Sequence, residues 1–248
     1  MKQKHTKNIY SIYGINNSCE LLKIKKDSIL KIFLLKNGKA SKEKYIQKNI
    51  TSINNKCSIL EKTEFDKKFA NIRSQGIVIN FTFKPYNALP IFSDDNICLI
   101  IPESIEDPQN LGQIIRTSEC AGINGILLSH NRTVGLTNSV FQVSQGAFLN
   151  CPIYMIGNIA QTLKMLKKEG FWIIGVENGV SASNWYNLDY KGKIVFIFGS
   201  EGKGIRKNTL KHCDSIATIP MLGNINSLNV SATVSAILFE RNRQLLQK

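Results

Sequence analysis

The sequence predicts an α/β protein in two parts, a small α/β unit followed by a larger parallel sheet covered by helices. Three observations carry this. From residue 97 onward, short runs rich in Ile and Val alternate with segments of helical periodicity, the pattern of a parallel sheet covered on both faces. Residues 84–95 hold two prolines and no periodicity, the composition of a linker. Basic residues concentrate ahead of that linker: residues 1–96 hold 18 basic and 8 acidic side chains, a net +10, whereas residues 97–248 hold 14 and 10, a net +4. The expected organisation is therefore residues 1–83, a linker at 84–95, and residues 96–248.

In the first part, the run from Asn8 leads into a helical pattern ending near Ile24, and Ile29–Leu35 is a strand stopped by Asn37-Gly38. Residues 39–51 read as a helix, Cys57–Leu60 as a short strand and 62–71 as a helix. Arg73-Ser-Gln-Gly76 is a turn, and the alternating Ile77–Phe83 closes the unit as a strand. In the second part, strands are expected at Ile97–Ile101, Gly125–Leu128, Pro152–Ile156, Phe171–Val176, Lys193–Phe198 and Ser215–Ile219. Helices are expected at 110–121, 137–146, 159–168 and 206–211, with a last one after Ser227, which stands where an N-cap would stand. Trp172, inside an apolar strand, is expected in the core, whereas Trp185 and Tyr186 lie in a polar loop.

Composition removes several function classes. No apolar run approaches the ~20 residues that span a bilayer, and the basic start Met1–Lys7 lacks the apolar segment of a secretory signal, so a cytoplasmic protein is expected. Six cysteines (19, 57, 98, 120, 151, 213) are scattered without CxxC spacing or a neighbouring His, which fits free thiols rather than disulfides or a zinc site. The formal charge of +14 is mostly lysine, 26 Lys against 6 Arg, in a chain also rich in Ile and Asn. An AT-rich genome would impose that bias. The uneven distribution says more, and a basic front third suits phosphate binding.

Three loops after predicted strands carry the chemistry. The first is Asn110-Leu-Gly112-Gln-Ile-Ile-Arg116; the second is Phe198-Gly-Ser-Glu-Gly-Lys-Gly204. The third runs from Ile219-Pro-Met221 through Gly223 to Ser227-Leu-Asn-Val-Ser231. Neither GxGxxG nor the Gly-Lys-Ser/Thr ending of a P-loop is present, and Glu201 would repel a phosphate. A ligand with a positive centre, held mainly by backbone groups, suits these loops, although spacing alone does not select one.

In this order, the three loops resemble the motifs of the SpoU/TrmH family of SPOUT RNA ribose 2′-O-methyltransferases, over about residues 97–246. The front part, with Ile9-Tyr and Tyr13-Gly-Ile-Asn16, is similar to the L30e-like RNA-binding domain of the RlmB-like subgroup, which methylates a guanosine ribose in large-subunit rRNA. Ser74-Gln-Gly76 departs from that subgroup's usual His-Gln-Gly. The resemblance implies a deep trefoil knot in the second domain, S-adenosylmethionine as cofactor, RNA as partner and a homodimer whose active sites draw on both subunits. It implies cofactor contacts near Gly199, Ile219 and Leu228, with Gly204, Met221 and Gly223 in the same loops. It also implies a catalytic set of Arg116, Asn110, Glu201, Ser227 and Asn229, in which Glu201 could hold Arg116 by a bidentate pair. A guanidinium of pKa above ~12 is a poor base, so Arg116 reads as a group that positions phosphate and hydroxyl. No metal is expected, because the leaving group is already a neutral thioether. Two other readings share these motifs: a tRNA 2′-O-methyltransferase, and an RNA-binding ribosome assembly factor that lost catalysis.

Overall fold

The computed structural model describes residues 8–130, 133–178, 182–200 and 202–247. The chain forms two compact units, one of residues 1–84 with 137–149 and one of residues 85–136 with 150–248.

In the first unit, β1 (Ile9–Tyr13), α1 (Ile15–Ile24), β2 (Ile29–Leu35), α2 (Lys44–Thr51), β3 (Cys57–Leu60), α3 (Lys62–Phe69) and β4 (Ile77–Thr82) follow in order. The sheet order is β1-β4-β2-β3, with β4 antiparallel to both neighbours and β2 parallel to β3. The helix expected at 39–51 is broken into a 3-10 turn, Ala40–Lys42, and α2, because Glu43 leaves the helical conformation and its carboxylate accepts the Tyr45 N–H.

The second unit begins with β5 (Ile97–Pro102), α4 (Pro108–Cys120) and β6 (Gly125–Ser129). The chain then supplies α5 (Asn138–Val143) to the first unit. It returns with β7 (Ile153–Ile156), α6 (Ile159–Lys168), β8 (Trp172–Val176), β9 (Ser183–Asn184), β10 (Lys193–Phe198), α7 (Lys207–Leu210), β11 (Ser215–Thr218) and α8 (Val230–Leu246). Its sheet order is β7-β6-β5-β10-β8-β11-β9, and every pairing is parallel. The central strands are buried end to end: all six residues of β5 and five of six in β10. Continuous Ile/Val/Phe runs are what strands covered on both faces require. Ile97, Leu99, Ile101, Val195 and Ile197 pack with Leu163 and Leu166 of α6 in one core cluster.

The structure corrects the expected reading at four further places. Residues 85–95 are not a free linker: the Tyr86 N–H donates to the Ile153 carbonyl, the Tyr86 carbonyl accepts from Met155 N–H, and Leu89 and Phe92 pack on the second core. Helix α5, expected with the second part, packs in the first unit, where Phe141 stacks edge-on to Tyr10 and Phe81 and Gln142 bonds the Tyr13 backbone. Trp172 is 52% exposed: it is the first residue of β8, pairs with β10 only, and lies ahead of the β11 pairing that begins at Ile174. The cap of α8 is Asn229 rather than Ser227. No helix among the described residues is long and apolar enough to cross a membrane.

Candidate active site

Three neighbouring strands, β10, β8 and β11, end side by side at Phe198, Val176 and Thr218. The carboxyl ends of parallel strands are where such sheets bind ligands, and the loops leaving these three line a cavity of about 280 Å³. Glu177 and Asn178 come from β8, Gly199, Ser200, Gly202 and Gly204 from β10, and Ile219, Met221, Asn226, Ser227 and Leu228 from β11; Val230 and Thr233 of α8 complete the wall.

Hydrogen bonds fix each loop. The Asn178 amide accepts from the Thr218 hydroxyl (2.8 Å) and donates to the Asn226 carbonyl (2.9 Å), tying the β8 loop to both ends of the β11 loop. The β10 loop is a tight reversal in which Gly204 N–H donates to the Ser200 carbonyl at 2.9 Å. A Cβ on Gly199 would overlap the Gly204 carbonyl carbon and the Ile205 nitrogen, so only glycine fits there. Gly204 itself has φ +61, a conformation that costs other residues energy. One Glu177 carboxylate oxygen accepts the Ile205 N–H at 3.1 Å. Just beyond, Glu103 is 1% exposed and accepts from Arg206 N–H (3.0 Å) and the Thr209 hydroxyl (2.8 Å), with the Arg206 Nε 3.7 Å away. A buried carboxylate is tolerated when it is bonded in this way, and here it anchors the outgoing end of the β10 loop.

A second cavity of about 260 Å³ adjoins the first, sharing Ser200, Gly202 and Val230 and adding Ser104–Asp107, Asn110 and Lys203. Asn110 lies inside α4, whose cap is Asp107. Its amide oxygen accepts from the Asn229 amide at 2.9 Å. The starts of α4 and α8 are joined there, and Thr117–Ser235 (3.2 Å) and Asn242 to the Ala121 carbonyl (3.0 Å) tie the two helices further along.

The SpoU rRNA Methylase family model matches residues 98–239. The chain belongs to this family. It is 31% identical over 240 residues to the 23S rRNA (guanosine-2′-O-)-methyltransferase RlmB of Shewanella oneidensis, covering 94% of this chain and 96% of that protein. The RlmB of Escherichia coli K12 is also 31% identical, with 94% and 98% covered. Among solved structures, the SpoU methyltransferase AviRb from Streptomyces viridochromogenes in complex with AdoMet superposes with a TM-score of 0.81 at 14% identity, covering 97% of this chain and 92% of that one. An AdoMet-bound rRNA methyltransferase from Sinorhizobium meliloti gives 0.81 at 20% identity, covering 96% and 88%. At these identities the superpositions speak to the fold alone.

The SpoU motif residues separate into groups in this structure. Gly199, Gly204, Ile219, Met221, Ser227 and Leu228 line the larger cavity; Asn110 lines the adjoining one and Asn229 bonds it. Gly223 lines neither cavity, and Arg116 is exposed on α4 and lines neither. Glu201 lies outside the described residues, and so does the pair expected between it and Arg116. The sequence reading does not single out Glu177, Asn178 and Glu103. A signal exists: Glu177-Asn178 directly follows a predicted parallel strand, where the rule about carboxyl ends applies as it does to the other loops.

Proposed function

We propose that the protein is an S-adenosylmethionine-dependent RNA methyltransferase that methylates a ribose 2′-OH, of a guanosine in 23S-type rRNA. The observation that carries this is the convergence of the second and third motif loops on one cavity, in a chain 31% identical over 94% of its length to RlmB proteins. The lining suits the cofactor: Val176, Phe198, Met221 and Val230 offer apolar walls for an adenine, Ser200, Asn226 and Ser227 offer polar groups, and Gly199 and Gly204 keep the loop backbone close. When bound, S-adenosylmethionine supplies an electrophilic methyl on a sulfonium.

The remaining work is positioning. Asn110 and Asn229 hold the α4 and α8 starts together beside the shared wall, and Ser227 adds a polar group at the cavity. Glu201, of the second motif, is assigned to the catalytic set on the motif alone. Arg116 is assigned to hold phosphate and hydroxyl of the RNA. Its exposure on α4, away from its own chain's cavities, supports a homodimer in which it serves the partner's site. The same reading includes a deep trefoil knot in the second domain, one of the few exceptions to unthreaded chains. It also includes an L30e-like role for the first unit as RNA anchor, supported by its basic excess, and a cytoplasmic location. Replacing Arg116 with Ala should abolish methyl transfer while cofactor binding stays close to wild type; loss of both would remove Arg116 from this role.

A further inference from the structure

We propose that Glu177 is the residue by which the cavity tells the charged methyl donor from its neutral product. Among the described residues lining that cavity, Glu177 is the sole ionisable one; no Lys, Arg or His joins it. The carboxylate is half-buried, and one oxygen is engaged by the Ile205 N–H at 3.1 Å. The other stands over Gly204, in the space that a Cβ would need, so the absent side chain at Gly204 is what admits the carboxylate to this position. Among the described residues no basic nitrogen forms an ion pair with it.

An acid held against a cavity wall without a compensating cation favours a ligand that brings positive charge. The inference rests on the assignment of S-adenosylmethionine as the methyl donor. That molecule carries a sulfonium, an ammonium and a carboxylate, a net +1. Methyl transfer turns the sulfonium into a thioether, and S-adenosylhomocysteine is net neutral. The bond from sulfur to methyl breaks, the bond from ribose oxygen to methyl forms, and the hydroxyl proton leaves to solvent. One positive charge disappears from the cavity during the reaction, beside an unchanged Glu177. Glu177 therefore binds donor more tightly than product and helps the product leave. Interactions with adenine, ribose or the amino-acid end are common to both molecules and cannot discriminate in this way.

The test compares dissociation constants of S-adenosylmethionine and S-adenosylhomocysteine by calorimetry for the wild type, Glu177→Gln and Glu177→Asp. Gln keeps an oxygen to accept the Ile205 N–H and removes only the charge. The expected result is a fall of roughly five- to tenfold in the donor-to-product affinity ratio for Glu177→Gln, the scale of one screened charge–charge interaction. Glu177→Asp should retain much of the wild-type ratio. Equal weakening of both ligands in Glu177→Gln would make Glu177 a scaffold for the loop and overturn the proposal, as would an unchanged ratio. A wild type that binds neither ligand would remove the cofactor assignment itself, and this inference with it.

Discussion

The Asn229 side chain does two things at once: its amide donates to the Asn110 oxygen at 2.9 Å, and its own oxygen accepts the Ser231 N–H at 2.8 Å to cap α8. One residue thus fixes both the start of the last helix and the first motif. Asn229→Asp keeps the cap acceptor but cannot donate to Asn110. Its thermal stability should stay near wild type while methyl transfer falls. Asn229→Ala should lose the cap as well and about 1 kcal/mol of stability, measured by denaturant unfolding. Equal stability losses in the two variants would mean that the cap contributes nothing here.

Gly199 has no room for a side chain, since the added carbon would meet backbone, which cannot rotate aside. Gly199→Ala should cost about 2–4 kcal/mol or open the β10 loop. Gly202, with nothing within 4 Å of a built Cβ, is the control, and Gly202→Ala should be near neutral in the same unfolding experiment.

Glu103 is buried beneath that loop and bonded by Arg206 and Thr209. Glu103→Ala should destabilise by about 3 kcal/mol, because it strands donors in the interior. It should also weaken cofactor binding through the loop it anchors. Unfolding curves and calorimetry on the same variant check both.

At the other end of α8, the Arg243 guanidinium bonds the Glu240 carboxylate at 2.7 Å and holds its pKa below the ordinary 4.5, with burial opposing and Gln244 assisting. A depressed carboxylate contributes stability that is fully present above its unfolded pKa and is lost as pH falls through the native value. Stability should therefore decline as pH drops below about 4.5, and Glu240→Gln should show a smaller decline over that window.

The strands and helices of the second unit are legible because parallel strands buried on both faces leave unbroken apolar runs. Lys193–Phe198 and Ile159–Lys168, and Ile29–Leu35 in the first unit, coincide with the elements expected. Periodicity marks an apolar face but not the surface that covers it. For that reason the sequence alone puts α5 in the wrong unit, and Trp172, with apolar neighbours in sequence, lies outside the core. The glycine-rich loop announces itself by composition. Glu177 does not, because a lone acid after a strand looks like any solvated turn until the fold brings three loops together.

The packing of α5 also decides how RNA binding by the first unit is best tested. Deleting residues 1–83 would strip the cover from Phe141 and Phe148, which stack on Phe81. Substituting exposed Lys44, Lys48, Lys62 and Lys67 by Ala leaves the core intact. Each lysine–phosphate interaction removed should lower the slope of log affinity against log salt by about 0.7–0.9. An unchanged slope would refute the basic front unit as RNA anchor.

The most direct test of the central claim is methyl transfer from tritiated S-adenosylmethionine, offered separately to unmodified large-subunit rRNA and to tRNA, with the labelled nucleoside identified. The account predicts 2′-O-methylguanosine in the rRNA. Label on a base, or no label in either RNA from protein shown to bind the cofactor, would contradict it.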